Sequence, residues 1–231
     1  MSAMTPATSP TERNVRAELL HAAVAILNED GPDALQTRKI AGAAGTSTMA
    51  VYTHFGGMSG LIAAVADEGL RQFDVALTMP PTSDPVADLV ATGIAYRRYA
   101  IERPHMYRLM LGSTSAHGIN APAHDLLTLT MAEINDHYPS FAHVVRGVHR
   151  CMLAGRIAEG SASDDATVVA IAAQFWSSIH GFVMLELAGF YGAQGSAVRP
   201  VLASLMANLL ISLGDSPERV QESQRLAVEP R

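Results

Sequence analysis

Cysteine, lysine and aromatic residues are scarce in this chain: one cysteine (Cys151), one lysine (Lys39) and 6% Phe, Trp and Tyr among 231 residues. A single cysteine excludes an intrachain disulfide and a cysteine-built metal site, which fits a reducing compartment. Cys151 lies in an apolar helical stretch, where a small buried hydrophobe is a better reading than a reactive thiol. The net charge of −6 argues against the broad basic face of a nonspecific polyanion binder and leaves sequence-specific binding open. No apolar run reaches the ~18 residues of a membrane span, and the N-terminal MSAMTPATSP lacks the charged and apolar regions of a signal peptide. A soluble, cytoplasmic protein with no membrane partner is therefore expected. Also missing are a G-x-S-x-G elbow, an H-E-x-x-H pair, a P-loop and a G-x-G-x-x-G turn. Nothing then assembles nucleophile, base and orienting group at a known spacing, so an all-α enzyme is the remotest alternative and no cofactor is expected.

What the chain has in quantity is apolar periodicity of the helical kind, in 48% hydrophobic residues, enough for a sizeable core. Residues 1–10 read as disordered, and Ser9-Pro10-Thr11-Glu12 has the form of a capping box ahead of Val15, Leu19 and Ile26. The linker TMPPTSDP marks a domain boundary. Beyond it further helices are expected over 84–102, 104–112, 123–138, 141–159, 165–190 and 198–213, and no strand pattern appears. The last two are apolar on more than one face, which calls for burial in a core or against a partner. The expectation is an all-α chain: a helix-turn-helix head over 11–57, a connecting helix over 58–78, a larger helical body over 84–214 and a C-terminal tail over 215–231, read as mobile.

The chain is organised around TRKIAGAAGTSTMAVYTHF, residues 37–55. Thr37 can cap a first helix that packs through Ile40, Ala41 and Ala44, and Gly45 can take the positive φ that stops it. Thr46 or Ser47 then caps a second helix, with Val51 and Phe55 inward at i, i+4. Its other face carries Ser47, Thr48, Met49, Ala50, Tyr52, Thr53 and His54, mostly short side chains that permit close approach to base edges. Arg13 and Arg16 on the preceding helix either reach a DNA backbone or decorate a solvated helix end.

These residues resemble the N-terminal domain of the tetracycline-repressor (TetR) family of bacterial transcriptional regulators. The pattern is carried by Thr37, Ile40-Ala41, Ala44-Gly45, Ser47 and Tyr52-Thr53-His54-Phe55, within a match over residues 11–77. The resemblance implies a double-stranded DNA operator as partner, with Thr37, Tyr52 and His54 on phosphates. It puts Arg38, Thr48, Met49, Ala50 and Thr53 nearest the base edges, roles that suit hydroxyls, a guanidinium and small apolar groups. The chain departs from the family at Met58, where a lysine is usual.

Trp176-Ser-Ser-Ile-His180-Gly181 resembles the Trp…His-Gly signature of one group of regulatory domains in the same family. Trp176 and His180 share a helical face, and with Tyr96, Tyr99, Met106, Tyr107, Met110, Met152, Phe175 and Ile179 they form a candidate effector pocket. Aromatic and methionine side chains at helical spacing also fill cores, so both uses stay open for each of them. Arg97 and Arg98 either meet an acidic ligand or belong to a solvated face. The resemblance further implies a homodimer joined by the last two helices, and repression relieved by a small, mainly apolar molecule. A metal sensor built on His117, His124, His137, His143 or His149 is the other alternative, although none of their spacings pairs ligands on one helical turn and no metal is expected.

Overall fold

The computed structural model describes residues 10–111 and 125–228. The expected disorder before Pro10, the side chain of Arg13, and His117 and His124 lie outside the described residues. Among those described, the secondary structure is entirely helical. The first six α-helices are α1 (Pro10–Asp30), α2 (Thr37–Ala43), α3 (Thr48–Phe55), α4 (Met58–Leu77), α5 (Pro85–Glu102) and α6 (Pro104–Met110). They are followed by α7 (Met131–His137), α8 (Pro139–Leu153), α9 (Asp165–Leu187), α10 (Ser204–Ser212) and α11 (Pro217–Ala227).

The chain forms two compact units, and the first holds α1, α2, α3, the start of α4, and α6. Its core joins Leu19 and Leu27 of α1 to Ile40, Val51, Leu61 and Val65. The helix α6 belongs to this unit, not to the body expected from residue 84 onward, because Met106 and Leu109 are wholly buried in the same core.

The turn between α2 and α3 closes by local hydrogen bonds. Gly45, at φ 62°, donates its N–H to Gly42, and Thr46 donates to Ala41, which satisfies two carbonyls left over at the end of α2. The N-cap of α2 is Gln36, in extended backbone and without a side-chain bond, so Thr37 is the first helical residue and not the cap its hydroxyl suggested. At the next junction the constraint is space. A Cβ on Gly60, in the first turn of α4, would overlap the Phe55 carbonyl oxygen that ends α3. Gly60→Ala is expected to destabilise the first unit by about 2–3 kcal/mol, read as a lower unfolding midpoint by circular dichroism.

In the second unit α5, α8 and α9 surround a core that includes Val86, Leu89, Val145, Val148, Val168 and Phe175. By length and composition α9 could cross a membrane, and here it packs on α5, α8 and α10. Cys151 is fully buried and burial pushes its thiol up to about 12, which makes it an inert core residue. The helix expected over 123–138 is, in its described part, a 3-10 turn at Leu126–Thr128 followed by α7. Thr130 and Glu133 form a reciprocal capping box that restarts the chain as α-helix. The helix α8 stops at Leu153, before Gly155 at φ 64°.

Residues 217–227, expected to be tail, are the helix α11. The hydroxyl of Ser216 accepts the Arg219 N–H at 3.3 Å, Pro217 occupies the first turn, and Val220 and Ala227 are buried.

Candidate functional site

The helix α3 hides Val51 and presents its remaining face. Met49 and Tyr52 are 66% and 57% exposed, high for large side chains with apolar surface. Arg38, Ser47, Thr48 and Thr53 are exposed beside them, whereas Thr37, Ala50 and His54 are half-buried. Ser47 stands at the N-cap in extended backbone with no side-chain cap bond. The Thr53 hydroxyl donates to the Met49 carbonyl at 3.1 Å, so its oxygen can still accept. Two of the formal charges nearby have described partners, and Arg38 is exposed beside them. Lys39 Nζ lies 2.7 Å from Asp30, and the Arg16 guanidinium sits 4.8 Å above the Phe55 ring. Met58, in the position of the usual lysine, packs on the core of the first unit. Chemically this is a face of hydroxyls, a phenol, the apolar side chains of Met49 and Ala50 and the Arg38 guanidinium, suited to phosphate oxygens and base edges more than to many ion pairs.

The second unit contains a cavity of about 350 Å³. Leu89, Thr92, Gly93 and Tyr96 line it from α5, and Phe175 and Ile179 from α9. Leu202 and Met206 close it on one side, and Gln224 of α11 and Val228 on another. Ile94 and Val228, both exposed, stand at its rim. Three of the ten pocket residues proposed from sequence, Tyr96, Phe175 and Ile179, are therefore at the cavity wall. Trp176 and His180 join it through Tyr96: the indole N–H donates to the Tyr96 oxygen at 3.2 Å, and that hydroxyl lies 3.4 Å from His180 Nδ1. The other five are placed elsewhere. Tyr99 packs its ring on Phe73 at 5.0 Å, Met152 is in the core of the second unit, and Met106, Tyr107 and Met110 are buried in α6. Gln224 and Val228 carry no pocket signal in the sequence, where the polar run over 215–231 reads as tail, although Ser216-Pro217 repeats the Ser9-Pro10 start signal.

One charged residue, Arg97, is among the described residues that line the cavity. Its Nε and Nη2 donate to the two Glu186 carboxylate oxygens at 2.8 and 2.7 Å. The Gly195 N–H adds a third bond to Glu186 at 2.8 Å. This guanidinium holds the Glu186 carboxyl below the usual carboxylate range. Arg98 faces solvent. Among the described residues no three His, Cys, Asp or Glu side chains gather as a metal-holding group.

Two imidazoles set a pH response. Burial lowers the affinity of His180 for a proton, and burial does the same for His143. His143 lies with Nε2 2.8 Å from Asp74 and Nδ1 3.2 Å from Arg146, an arrangement that suits the neutral ring. Folding therefore favours the unprotonated forms, and their contribution is whole above the ordinary value of about 6.5 and lost as pH falls from there toward the lowered values. Asp84, Asp88 and Glu186, all held below the carboxylate range, add their loss only at lower pH. The urea midpoint reported by Trp176 fluorescence should accordingly be lower at about pH 5.5 than at about pH 7.5, and His143→Gln should reduce the difference.

Residues 19–65 match the family model described as bacterial regulatory proteins, tetR family, and residues 89–209 match the tetracyclin repressor-like C-terminal domain. A helix-turn-helix type transcriptional regulator of Mycobacterium tuberculosis is 26% identical over 179 residues, which cover 75% of this chain and 71% of that protein. A solved structure of a protein with unknown function from Rhodococcus sp. RHA1 is similar at 26% identity and a TM-score of 0.64, covering 87% of this chain and 96% of that one. The structure of RolR in complex with resorcinol shares the fold at 16% identity and a TM-score of 0.63, covering 96% and 97% of the two chains.

Proposed function

We propose that this chain, which belongs to the TetR family of bacterial regulatory proteins, is a cytoplasmic, ligand-released repressor and not an enzyme. The observation that carries the DNA half of the reading is the α3 face, where Met49 and Tyr52 stand exposed among Ser47, Thr48 and Thr53. A homodimer presents two such helices about 34–36 Å apart to a pseudo-palindromic operator. Support for dimerisation lies in two exposed stripes: Ala170, Gln174, Ser177, Gly181 and Leu185 on α9, and Val201, Leu205, Asn208 and Ile211 along α10 and the π-helical turn Val198–Ala203 before it. Support for a small-molecule effector lies in the cavity, and in a structural neighbour that holds resorcinol. A ligand that prefers one conformation of the body shifts the population and lowers operator affinity by its differential affinity for the two states.

Fluorescence anisotropy against the DNA flanking the gene tests the reading. Thr48→Ala and Tyr52→Ala should each weaken specific binding by roughly 5- to 30-fold, and Tyr52→Ala should do so across sequences because its contact is to phosphate. Wild-type protein that binds this DNA no better than random duplex at moderate salt would sink the proposal.

A further inference from the structure

The Arg97–Glu186 pair gives the cavity a property that its volume alone does not. Resting on the reading that the cavity holds an effector, we propose that it selects an uncharged, mainly apolar molecule carrying a hydrogen-bond donor, and that Arg97–Glu186 enforces the neutrality.

Arg97 brings the formal charge to the described wall, and Glu186 is seated directly against it through two charge-assisted hydrogen bonds. The Glu186 side chain is 2% exposed and that of Arg97 21%. Glu186 already balances the guanidinium charge, so an anionic ligand that meets the Arg97 N–H groups left over finds hydrogen bonds but no net counter-charge, and taking the guanidinium outright would leave Glu186 buried with the Gly195 N–H as its remaining described donor. A cationic ligand meets the guanidinium first and is repelled. Either charge loses its hydration on entering a wall of leucine, valine, isoleucine and phenylalanine side chains, with no free counter-charge to replace it. A neutral ligand avoids both costs.

The polar groups in the wall define the donor. The Thr92 hydroxyl gives its hydrogen to the Asp88 carbonyl at 3.0 Å, so toward a ligand its oxygen accepts. The Gln224 Nε2 gives one N–H to the Ala203 carbonyl at 2.9 Å, which orients the amide and leaves its oxygen to accept and a second N–H to donate. Two acceptors call for an N–H or O–H on the ligand. Gln224 comes from α11, which lies beyond the residues 89–209 matched by the family model.

Two fluorescent probes with one skeleton separate charge from shape. N-phenyl-1-naphthylamine is uncharged and carries an N–H, and 8-anilinonaphthalene-1-sulfonate adds a sulfonate to the same rings. Titrated into the wild-type full chain, the neutral probe should bind at least about tenfold more tightly than the sulfonate. Glu186→Gln frees the Arg97 guanidinium without changing side-chain shape and should tighten the sulfonate roughly tenfold, while the neutral probe changes less than about threefold. Gly93→Leu fills the cavity from α5 and should remove both signals, so any dye that survives it is bound elsewhere and is subtracted. Equal wild-type affinity for the two probes, both sensitive to Gly93→Leu, overturns the neutrality rule and leaves the effector cavity standing. Failure of the neutral probe to bind in a Gly93-sensitive way overturns both. The wild-type ratio decides the matter by itself if Glu186→Gln does not fold.

Discussion

Gly181→Arg should give a folded monomer whose operator affinity is lower by at least about a hundredfold, because a dimer that grips two half-sites gains that order of avidity over one head alone. Gly181 is exposed on α9, and a Cβ added there meets nothing within 4 Å. The substitution therefore costs the isolated chain little, and arginine is a better helix former than glycine. Across an interface the situation reverses. In the proposed dimer, a stripe of Ala170, Gln174, Ser177 and Gly181 lets a partner helix approach closely, and a long cation within it prevents that approach. Sedimentation or light scattering reads the oligomer, and unchanged circular dichroism shows the fold retained. A variant that remains dimeric would place the interface on some other face.

Arg156→Ala is expected to destabilise the second unit by about 3–5 kcal/mol, seen as an earlier urea transition of Trp176 fluorescence. Arg156 is 6% exposed and Asp215 5%, and the two are joined by contacts of 2.7 to 3.0 Å. The same guanidinium reaches Asp84 at 3.3 Å and the Ser223 hydroxyl at 3.1 Å. Asp84 in turn caps α5 by accepting the N–H groups of Val86 and Ala87. Burial acts to raise the Asp84 pKa, yet these N–H bonds, the Ser223 hydroxyl and Arg156 hold it below the carboxylate range. One side chain thus ties the start of α5, the segment after α8 and the start of α11. Its removal leaves the Asp215 carboxylate buried with the Ser216 N–H and the more distant Arg219. Replacing Arg156 and Asp215 together by apolar residues of similar volume should recover much of the loss, since the cost lies in the uncompensated charge.

The reading helix was visible in the chain because its determinants are local. Apolar residues at i, i+4 choose the buried face, Gly45 alone supplies the positive φ, and both act within one turn of the residues they control. The start of α11 was equally local, in Ser216-Pro217, but the polar run that follows obscured it. The cavity had no such signature. Its wall is what α5, α9, α10 and α11 leave unfilled once packed, and sequence periodicity cannot separate a residue lining that space from one in the core behind it. Tyr96 and Met152 illustrate the point: both are buried apolar-stripe residues, and one lines the cavity while the other lies in the core.

By itself the sequence determined that the chain is all-α, that a helix-turn-helix occupies residues 37–55, and that α3 turns hydroxyls, Met49 and Tyr52 away from Val51. Those outcomes follow from backbone propensity and helical period, which operate over a few residues. Only the tertiary structure decided that α6 joins the first unit, that Arg97 is neutralised by Glu186, and that α11 walls a cavity. The partners in these pairings stand far apart in sequence, 89 residues for Arg97 and Glu186 and 139 for Ser223 and Asp84. Such contacts exist only after loop-closure entropy has been overcome by the packing of the whole unit, and no local pattern encodes them.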